Sequence, residues 1–126
     1  MSKLCVFLAR KSNEIIISYF ILLSIFFIYP FDVENKVNTV KVAGTFRLDH
    51  VLHVLIFLPS SFVIFNKFNL KLFYILLLVI LMSFFFEFLQ WFLPYRAFTI
   101  KDLEANLMGA FLSFLLLFLL KNMKTH

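Results

Sequence analysis

The sequence predicts an all-α integral membrane protein, an antiparallel four-helix bundle with both termini in the cytoplasm. Of its 126 residues, 63% are hydrophobic and 15% are charged, whereas soluble domains average about 45–50% apolar and roughly 25% charged residues. Four apolar stretches are close in length to the about 20 residues that a membrane-spanning helix needs. Lys and Arg are also unevenly distributed between the ends of these stretches. This composition excludes a soluble enzyme and, despite the net charge of +5, a disordered tail that binds nucleic acid.

The first two spans are predicted at about 15–31 and 50–67. Pro30 ends the first, and no small-residue cleavage site follows it, so we interpret it as an uncleaved anchor rather than a signal peptide. In the loop between them, the segment Lys36–Phe46 partly alternates between apolar and polar residues. It fits either a short hairpin or a segment along the membrane surface. Pro59 should kink the second span by freeing the carbonyl of Leu55. Ser60 and Ser61 can bond back to the helix and ease that defect.

The last two spans are predicted at about 70–93 and 100–120. The loop before the third span is so short that its neighbours should be antiparallel. Thr99 is the expected N-cap of the fourth span, with Asp102 three residues later. No linker or repeat interrupts the chain, so we expect one transmembrane domain over residues 1–126.

The distribution of basic residues predicts the orientation. Seven Lys and Arg flank one side of the predicted membrane and five flank the other. The positive-inside rule then places both termini in the cytoplasm of a bacterial cell membrane. Cys5 is the single cysteine, so no intrachain disulfide can form, and we interpret it as an inert thiol.

Hydrogen-bonding side chains gather at the predicted outer ends of three spans and in the loop between the last two. These pocket candidates are Asp49, His53, Glu87, Gln90, Arg96, Asp102 and Asn106, with His50 beside them. The pairs 49/53 and 102/106 are spaced i, i+4 and the pair 87/90 is spaced i, i+3, so each pair shares a helix face. Gly109 continues the stripe of Asn106 and would let a neighbouring helix approach closely.

Glu87 is the most informative of these residues. It lies roughly 9 Å below the outer end of its span, and Asn106 lies roughly 6 Å below Asp102, so the two helices should touch there. A carboxylate within a span costs roughly 2.5–3.5 kcal/mol on insertion scales and normally faces a partner in the bundle. Together with seven other polar groups at the same level, it favours a functional site over a structural ion pair.

The other candidates suggest roles for that site. Arg96 can present a planar fork to a phosphate or carboxylate, although membrane anchoring is its simpler interpretation. His53, oriented by Asp49, is the better histidine for acid–base chemistry, and His50 suits interfacial hydrogen bonding. Asp49, His53, Glu87 and Asp102 could assemble a metal site, but no compact ligand motif is present, and we predict no cofactor.

The ordered set of residues resembles the VanZ-like membrane proteins. It reads Asp49-x-x-x-His53, Glu87-x-x-Gln90, Arg96 and Asp102-x-x-x-Asn106-x-x-Gly109. The resemblance covers about residues 48–120, with the first span matching only as a generic anchor. His50, Tyr95 and Ser113 depart from the pattern, where the family often has Lys, Gly and Gly. The namesake is associated with low-level resistance to the glycopeptide teicoplanin, so the resemblance implies a role in a bacterial cell envelope without supplying a reaction.

The leading hypothesis is therefore an outward-facing polar pocket that binds an envelope lipid or lipid-linked precursor, or that affects glycopeptide susceptibility. One alternative is a membrane enzyme that acts on a lipid-linked substrate, with His53 and Glu87 as acid and base. Another is a structural subunit whose polar groups hold the helices together. The expected partners are membrane lipids and not nucleic acid, and the sequence leaves the oligomeric state and enzymatic activity open.

Overall fold

A computed structural model describes residues 6, 10–29, 41–43, 46–95 and 99–123. Its helices are α1 (Ser12–Ile28), α2 (Leu48–Phe57), α3 (Ser60–Phe68), α4 (Leu72–Trp91) and α5 (Ile100–Met123), and its two short strands are β1 (Lys41–Ala43) and β2 (Phe46–Arg47). α2 and α3 form one bent helical unit, Leu48–Phe68. The predicted all-α bundle of four helices is thus confirmed, while the side of the membrane on which the termini lie stays a prediction.

Three of the four helical units are long and apolar enough to cross a membrane: Leu48–Phe68, Leu72–Trp91 and Ile100–Met123. α1 is also apolar but has 17 residues. Its length of about 26 Å falls slightly short of the roughly 30 Å of a hydrocarbon core. The chain is therefore a membrane protein by its helices, with α1 as the shortest member of the bundle.

The break between α2 and α3 lies at Pro59, where the sequence predicted a kink. The Leu55 carbonyl accepts a 3.3 Å hydrogen bond from the Leu58 N–H instead of from the missing proline donor. The Ser60 hydroxyl donates to the Phe57 carbonyl over 2.6 Å, as expected for a serine that bonds back. Ser61 differs from the expectation, because it is its backbone N–H that leaves the helix ladder and donates to the Ser113 Oγ of α5 at 3.0 Å.

The strands form a small antiparallel hairpin immediately before α2. Lys41 pairs with Arg47 and Ala43 pairs with Phe46. The hairpin alternative for the first loop is therefore correct for residues 41–43 and 46–47, while residues 30–40 and 44–45 lie outside the described part of the chain. The hairpin leads directly into the first turn of α2 and so fixes where Arg47 enters the bundle.

The apolar core lies between α1 and the other helices, and Phe27 is at its centre. Its ring is fully buried and lies 5.0 Å from the ring of Phe86 and 6.0 Å from that of Phe57, between ring centroids. Many large apolar side chains remain exposed on the outside of the bundle, among them Phe73, Phe85 and Phe111. Because these side chains need an apolar surrounding, they fit a surface that faces lipid acyl chains.

A hydrogen bond from α1 also holds the kink between α2 and α3. The Tyr19 hydroxyl donates to the carbonyl of Ile56, in the last turn of α2, over 2.9 Å. We expect Tyr19→Phe to destabilise the protein by about 1 kcal/mol, because this half-buried carbonyl then loses its side-chain donor. Thermal unfolding in detergent measures the effect. Tyr74→Phe is the control, since Tyr74 is 52% exposed, and equal melting temperatures for the two variants would contradict the assignment.

Candidate functional site

The structure brings most of the predicted site residues to one end of the bundle. We call it the polar end, where α1 and α4 finish and α2 and α5 begin. The side chains there form an inner network and an outer cluster, one helical turn apart along α2. The inner network consists of His53, Glu87 and Asn106, and the outer cluster consists of Arg47, Asp49, His50, Thr99 and Asp102. Arg96 lies outside the described residues, so its place near this end stays a prediction.

Asn106 is the centre of the inner network. Its Nδ2 donates a hydrogen bond to Oε1 of Glu87, and its Oδ1 lies 2.8 Å from Nδ1 of His53. The same His53 Nδ1 is 3.4 Å from Oε1 of Glu87. All three side chains are at most 3% exposed. The amide of Asn106, on α5, therefore links a carboxyl group on α4 to an imidazole on α2. Its hydrogen bond to Glu87 is the contact between α4 and α5 that the depth estimate predicts.

The chemistry of these groups fixes the tautomer of His53. A carboxylate oxygen can only accept, so the Asn106 amide nitrogen faces Glu87 and its oxygen faces the imidazole. Nδ1 of His53 must then carry a hydrogen. The ring is also packed edge-on against Phe26 and Phe27, at centroid distances of 5.3 and 5.2 Å. The imidazole is thus held in one orientation by three helices.

The outer cluster starts at the first turn of α2. The Arg47 N–H donates to Nδ1 of His50 at 3.2 Å, and the His50 N–H donates to Oδ1 of Asp49 at 3.0 Å. Since Nδ1 of His50 accepts, a neutral ring carries its hydrogen on Nε2, and Nε2 lies 3.3 Å from Oδ1 of Asp102. A histidine at this position therefore closes the helix start and points its other nitrogen at a carboxylate on α5.

The start of α5 confirms the predicted cap. The Asp102 N–H donates to Thr99 Oγ1 at 3.3 Å, and the hydroxyl donates in turn to Asp102 Oδ2 at 2.6 Å. Asp102 and Asp49 both lie in the first turn of a helix, where the helix dipole favours a negative charge. Arg47 is positioned between them, with its Nη2 2.9 Å from Asp49 Oδ2 and 4.0 Å from Asp102 Oδ1.

One expectation from the sequence needs correction here. Asp49 does not orient His53, since its described contacts are with Arg47 and with the backbone and ring of His50. Helical spacing puts two residues on one face, but a short aspartate bonds within its own turn more readily than to a ring one turn away. Sequence reasoning also missed Arg47 as a site residue. Its position just before a predicted helix start, two residues from Asp49, was the available signal.

The remaining candidates lie around these groups. Gln90 is 2% exposed and donates to the Phe27 carbonyl at 3.5 Å, so it connects α4 to the end of α1. Gly109 lies against α2, where a Cβ atom would collide with the Val54 carbonyl oxygen and approach Phe57 Cβ to 3.0 Å. This close approach brings α5 near enough for Asn106 to reach His53.

A metal ion does not fit the described residues well. The set proposed from the sequence is split between the inner network and the outer cluster. Asp49, His50 and Asp102 do offer ligand atoms within 4.8 Å of one another. However, the Arg47 guanidinium already bonds to one carboxylate of that group and lies near the other, and a fixed positive charge opposes a bound cation.

The polar groups differ from the expected open pocket because they are packed against one another. His50, His53, Glu87, Gln90, Asp102 and Asn106 are each at most 5% exposed. The concavity beside them is a groove of about 320 Å³ on the flank of the bundle, lined by Phe84, Glu87, Phe88, Trp91 and Leu103. Only its base is polar, where Glu87 lies.

Within the part of the chain that the structure describes, three buried atoms of charged side chains have no hydrogen-bond partner. They are Nε of Arg47, Oε2 of Glu87 and Oδ1 of Asp102. Oδ1 of Asp102 lies near the guanidinium of Arg47 and the imidazole of His50. These groups compensate its charge although no hydrogen bond is formed. Buried polar atoms are usually satisfied, so each such atom asks for an explanation.

Comparison with known proteins gives one assignment. The sequence model of the VanZ/LLP1 family matches residues 5–121, nearly the whole chain, whereas no curated protein and no solved structure matches it. The matched range includes α1, whereas the resemblance based on the motifs covered the first span only as a generic anchor. With its apolar helices and its polar residues gathered at one end, this chain is a small membrane protein that belongs to the VanZ/LLP1 family.

Proposed function

We propose that this protein binds the head group of an envelope lipid or lipid-linked precursor at its polar end, in the cytoplasmic membrane of a bacterium with that end facing outward. By binding such a molecule, the protein would affect the susceptibility of the cell to glycopeptides such as teicoplanin. The polar groups of four chain segments, from the hairpin to the first turns of α5, meet there.

The observation that carries the proposal is the set of buried charged atoms with unmet hydrogen-bonding capacity. A cluster that served only to hold helices together would be expected to satisfy its own donors and acceptors, because leaving one unsatisfied costs about 1–3 kcal/mol. Arg47 Nε, Glu87 Oε2 and Asp102 Oδ1 are the exceptions among the charged side chains that the structure describes. One donor and two acceptors match a head group that itself presents both kinds of group.

The charges of the polar end support the same class of ligand. The inner network and the outer cluster contain three carboxyl groups, on Asp49, Glu87 and Asp102, and one guanidinium, on Arg47. Acidic groups predominate over permanently cationic ones, so a head group that carries an ammonium or several hydroxyl groups suits them. Arg96, whose fork suits phosphate, would complement the anionic part of the same molecule.

Binding is favoured over catalysis by the burial of His53. Its ring is 3% exposed and is enclosed by two phenylalanines. A general acid or base has to come within hydrogen-bond reach of the group it protonates or deprotonates. An enzymatic function would need these rings to move apart, whereas head-group binding at the outer cluster does not require it.

Native mass spectrometry of the protein purified in mild detergent tests the proposal. The wild type is expected to carry a copurifying lipid or lipid-linked molecule. Asp102→Asn and Arg96→Ala should each retain about tenfold less of it, since each loses a charge-assisted hydrogen bond to the head group. Glu104→Gln is the matched control, because Glu104 is an exposed acid two residues from Asp102.

Circular dichroism shows whether the same variants fold. A folded Asp102→Asn protein without the lipid supports the binding site. A wild type with a bare mass, or folded variants of Asp102 and Arg96 that retain all of the lipid, would overturn it. Teicoplanin susceptibility of cells expressing each variant then separates lipid binding from an effect on the antibiotic.

A further inference from the structure

The groove on the flank of the bundle has the composition of an amphiphile site. Phe84, Phe88 and Trp91 form its wall on α4, and Leu103 contributes from α5. The three aromatic side chains are 49%, 53% and 72% exposed, so the groove opens toward the surface that faces lipid. Its volume of about 320 Å³ is at the small end of the range for ligand sites. It suits part of a lipid, such as a head group with the first segment of one chain.

Glu87 supplies the polar contact at the base of this groove. Its side chain is buried, and its two oxygens have different surroundings. Oε1 accepts from Asn106 and faces His53, whereas Oε2 has no hydrogen-bond partner among the described residues. One oxygen is therefore committed to the inner network, and the other is available to a donor that enters the groove.

We propose that the groove binds a membrane lipid with a primary ammonium group, with its chain against the aromatic wall and its N–H donors directed at Glu87 Oε2. This proposal rests on the proposed function and names the class of lipid. Charge complementarity favours an ammonium group. Asp49 and Asp102 share Arg47, while Glu87 has no permanent cation among its described contacts, which are the amide of Asn106 and the imidazole of His53.

The depth of Glu87 agrees with this ligand. It lies one helical turn before Trp91, which places it roughly 6 Å along α4 from that residue. Trp91 lies at the end of the helix, where tryptophan commonly marks the membrane interface. A head group at the interface can therefore reach the carboxylate while its chain remains beside the exposed aromatic side chains.

Trp91 also makes the proposal measurable, because it is the only tryptophan of the chain and it lines the groove. The full-length protein is reconstituted in phosphatidylcholine vesicles that contain a minor fraction of a brominated lipid, which quenches tryptophan on contact. Brominated phosphatidylethanolamine is expected to occupy the groove about tenfold more readily than brominated phosphatidylcholine, whose quaternary ammonium has no N–H donor.

Two variants test the role of Glu87 and of the groove separately. Glu87→Gln should reduce the preference for the amine lipid to near unity. Because this change also touches Asn106, Leu103→Phe provides a second variant that narrows the groove and leaves the hydrogen bonds of Glu87 in place. It should likewise abolish the preference. Glu104→Gln, at an exposed position of α5, should retain the wild-type preference.

The outcomes distinguish this proposal from the proposed function. Equal quenching by the two brominated lipids in the wild type would overturn the amine site, as would an unchanged preference in Glu87→Gln or Leu103→Phe. Competition by unlabelled diacylglycerol as strong as that by phosphatidylethanolamine would overturn the ammonium assignment, because a hydroxyl would then suffice. A copurifying molecule that is lost in Asp102→Asn would leave the proposed function standing even if the groove showed no preference.

Discussion

Gly109→Ala is expected to destabilise the bundle by about 2 kcal/mol, as overpacking of a tight interface does. The added Cβ would overlap the carbonyl oxygen of Val54, and Phe57 Cβ would be 3.0 Å away. Since the overlapping atom belongs to the backbone of α2, no side-chain rotation can relieve the clash, and α2 and α5 must move apart. Gly109→Leu should prevent the native packing altogether.

The sign of this effect makes the prediction specific. At an exposed position within a helix, replacing Gly with Ala stabilises by up to about 1 kcal/mol, because Ala has the higher helix propensity. A measured loss would therefore come from the contact with α2. Thermal unfolding in detergent measures it, with Met108→Ala as the control, since Met108 is the neighbouring residue and is 47% exposed. A melting temperature at or above that of the wild type would contradict the close approach.

A second consequence concerns the inner network. Asn106 is on the same face of α5 as Gly109, so any separation of the helices also moves the amide away from His53. Gly109→Ala should therefore change the environment of the His53 ring, which the nuclear magnetic resonance signals of its ring protons would report. Loss of stability without a change at His53 would mean that the packing contact and the network are independent.

The sequence was sufficient to predict which faces of the helices meet at the polar end. The spacing of Asp102, Asn106 and Gly109 defines a single stripe, and the cost of placing Glu87 in a membrane requires a partner for it. The spacing of polar residues and the cost of a buried carboxylate are each properties of a single helix. The confirmed N-cap at Thr99 belongs to the same class, because it depends only on neighbouring residues.

The pairing between helices could not be predicted in the same way. Which side chain faces Asn106 depends on how far α5 approaches α2, and the kink at Pro59 and the contact at Gly109 set that distance together. The role of Arg47 depends on the hairpin, which delivers it beside two carboxylates from different helices. The sequence showed it only as one charge in a loop.

Asn106→Leu is expected to cost about 3–4 kcal/mol, the largest effect of any single polar substitution at this end. The new side chain would remove the donor to Oε1 of Glu87 and the acceptor for Nδ1 of His53, and these two atoms, 3.4 Å apart, would keep only each other. Removing one member of a buried polar or charged group is far more costly than exchanging the whole group for apolar side chains. Unfolding in mixed detergent micelles measures the loss, and Glu104→Leu is the matched control on the exposed face of the same helix.

The double variant Glu87→Met with Asn106→Leu separates the two roles that this network can have. Without the carboxyl group, leucine at position 106 no longer deprives a buried acid of its donor. The double variant also removes both acceptors of the His53 Nδ1–H, so we expect it to recover only about 1 kcal/mol relative to Asn106→Leu alone. It should nevertheless fail to select the amine lipid, because Glu87 Oε2 is gone. Recovery of both stability and selectivity would show that the network serves only to pack the helices. Recovery of stability alone would mean that Glu87 is retained at a cost to folding because it binds a ligand.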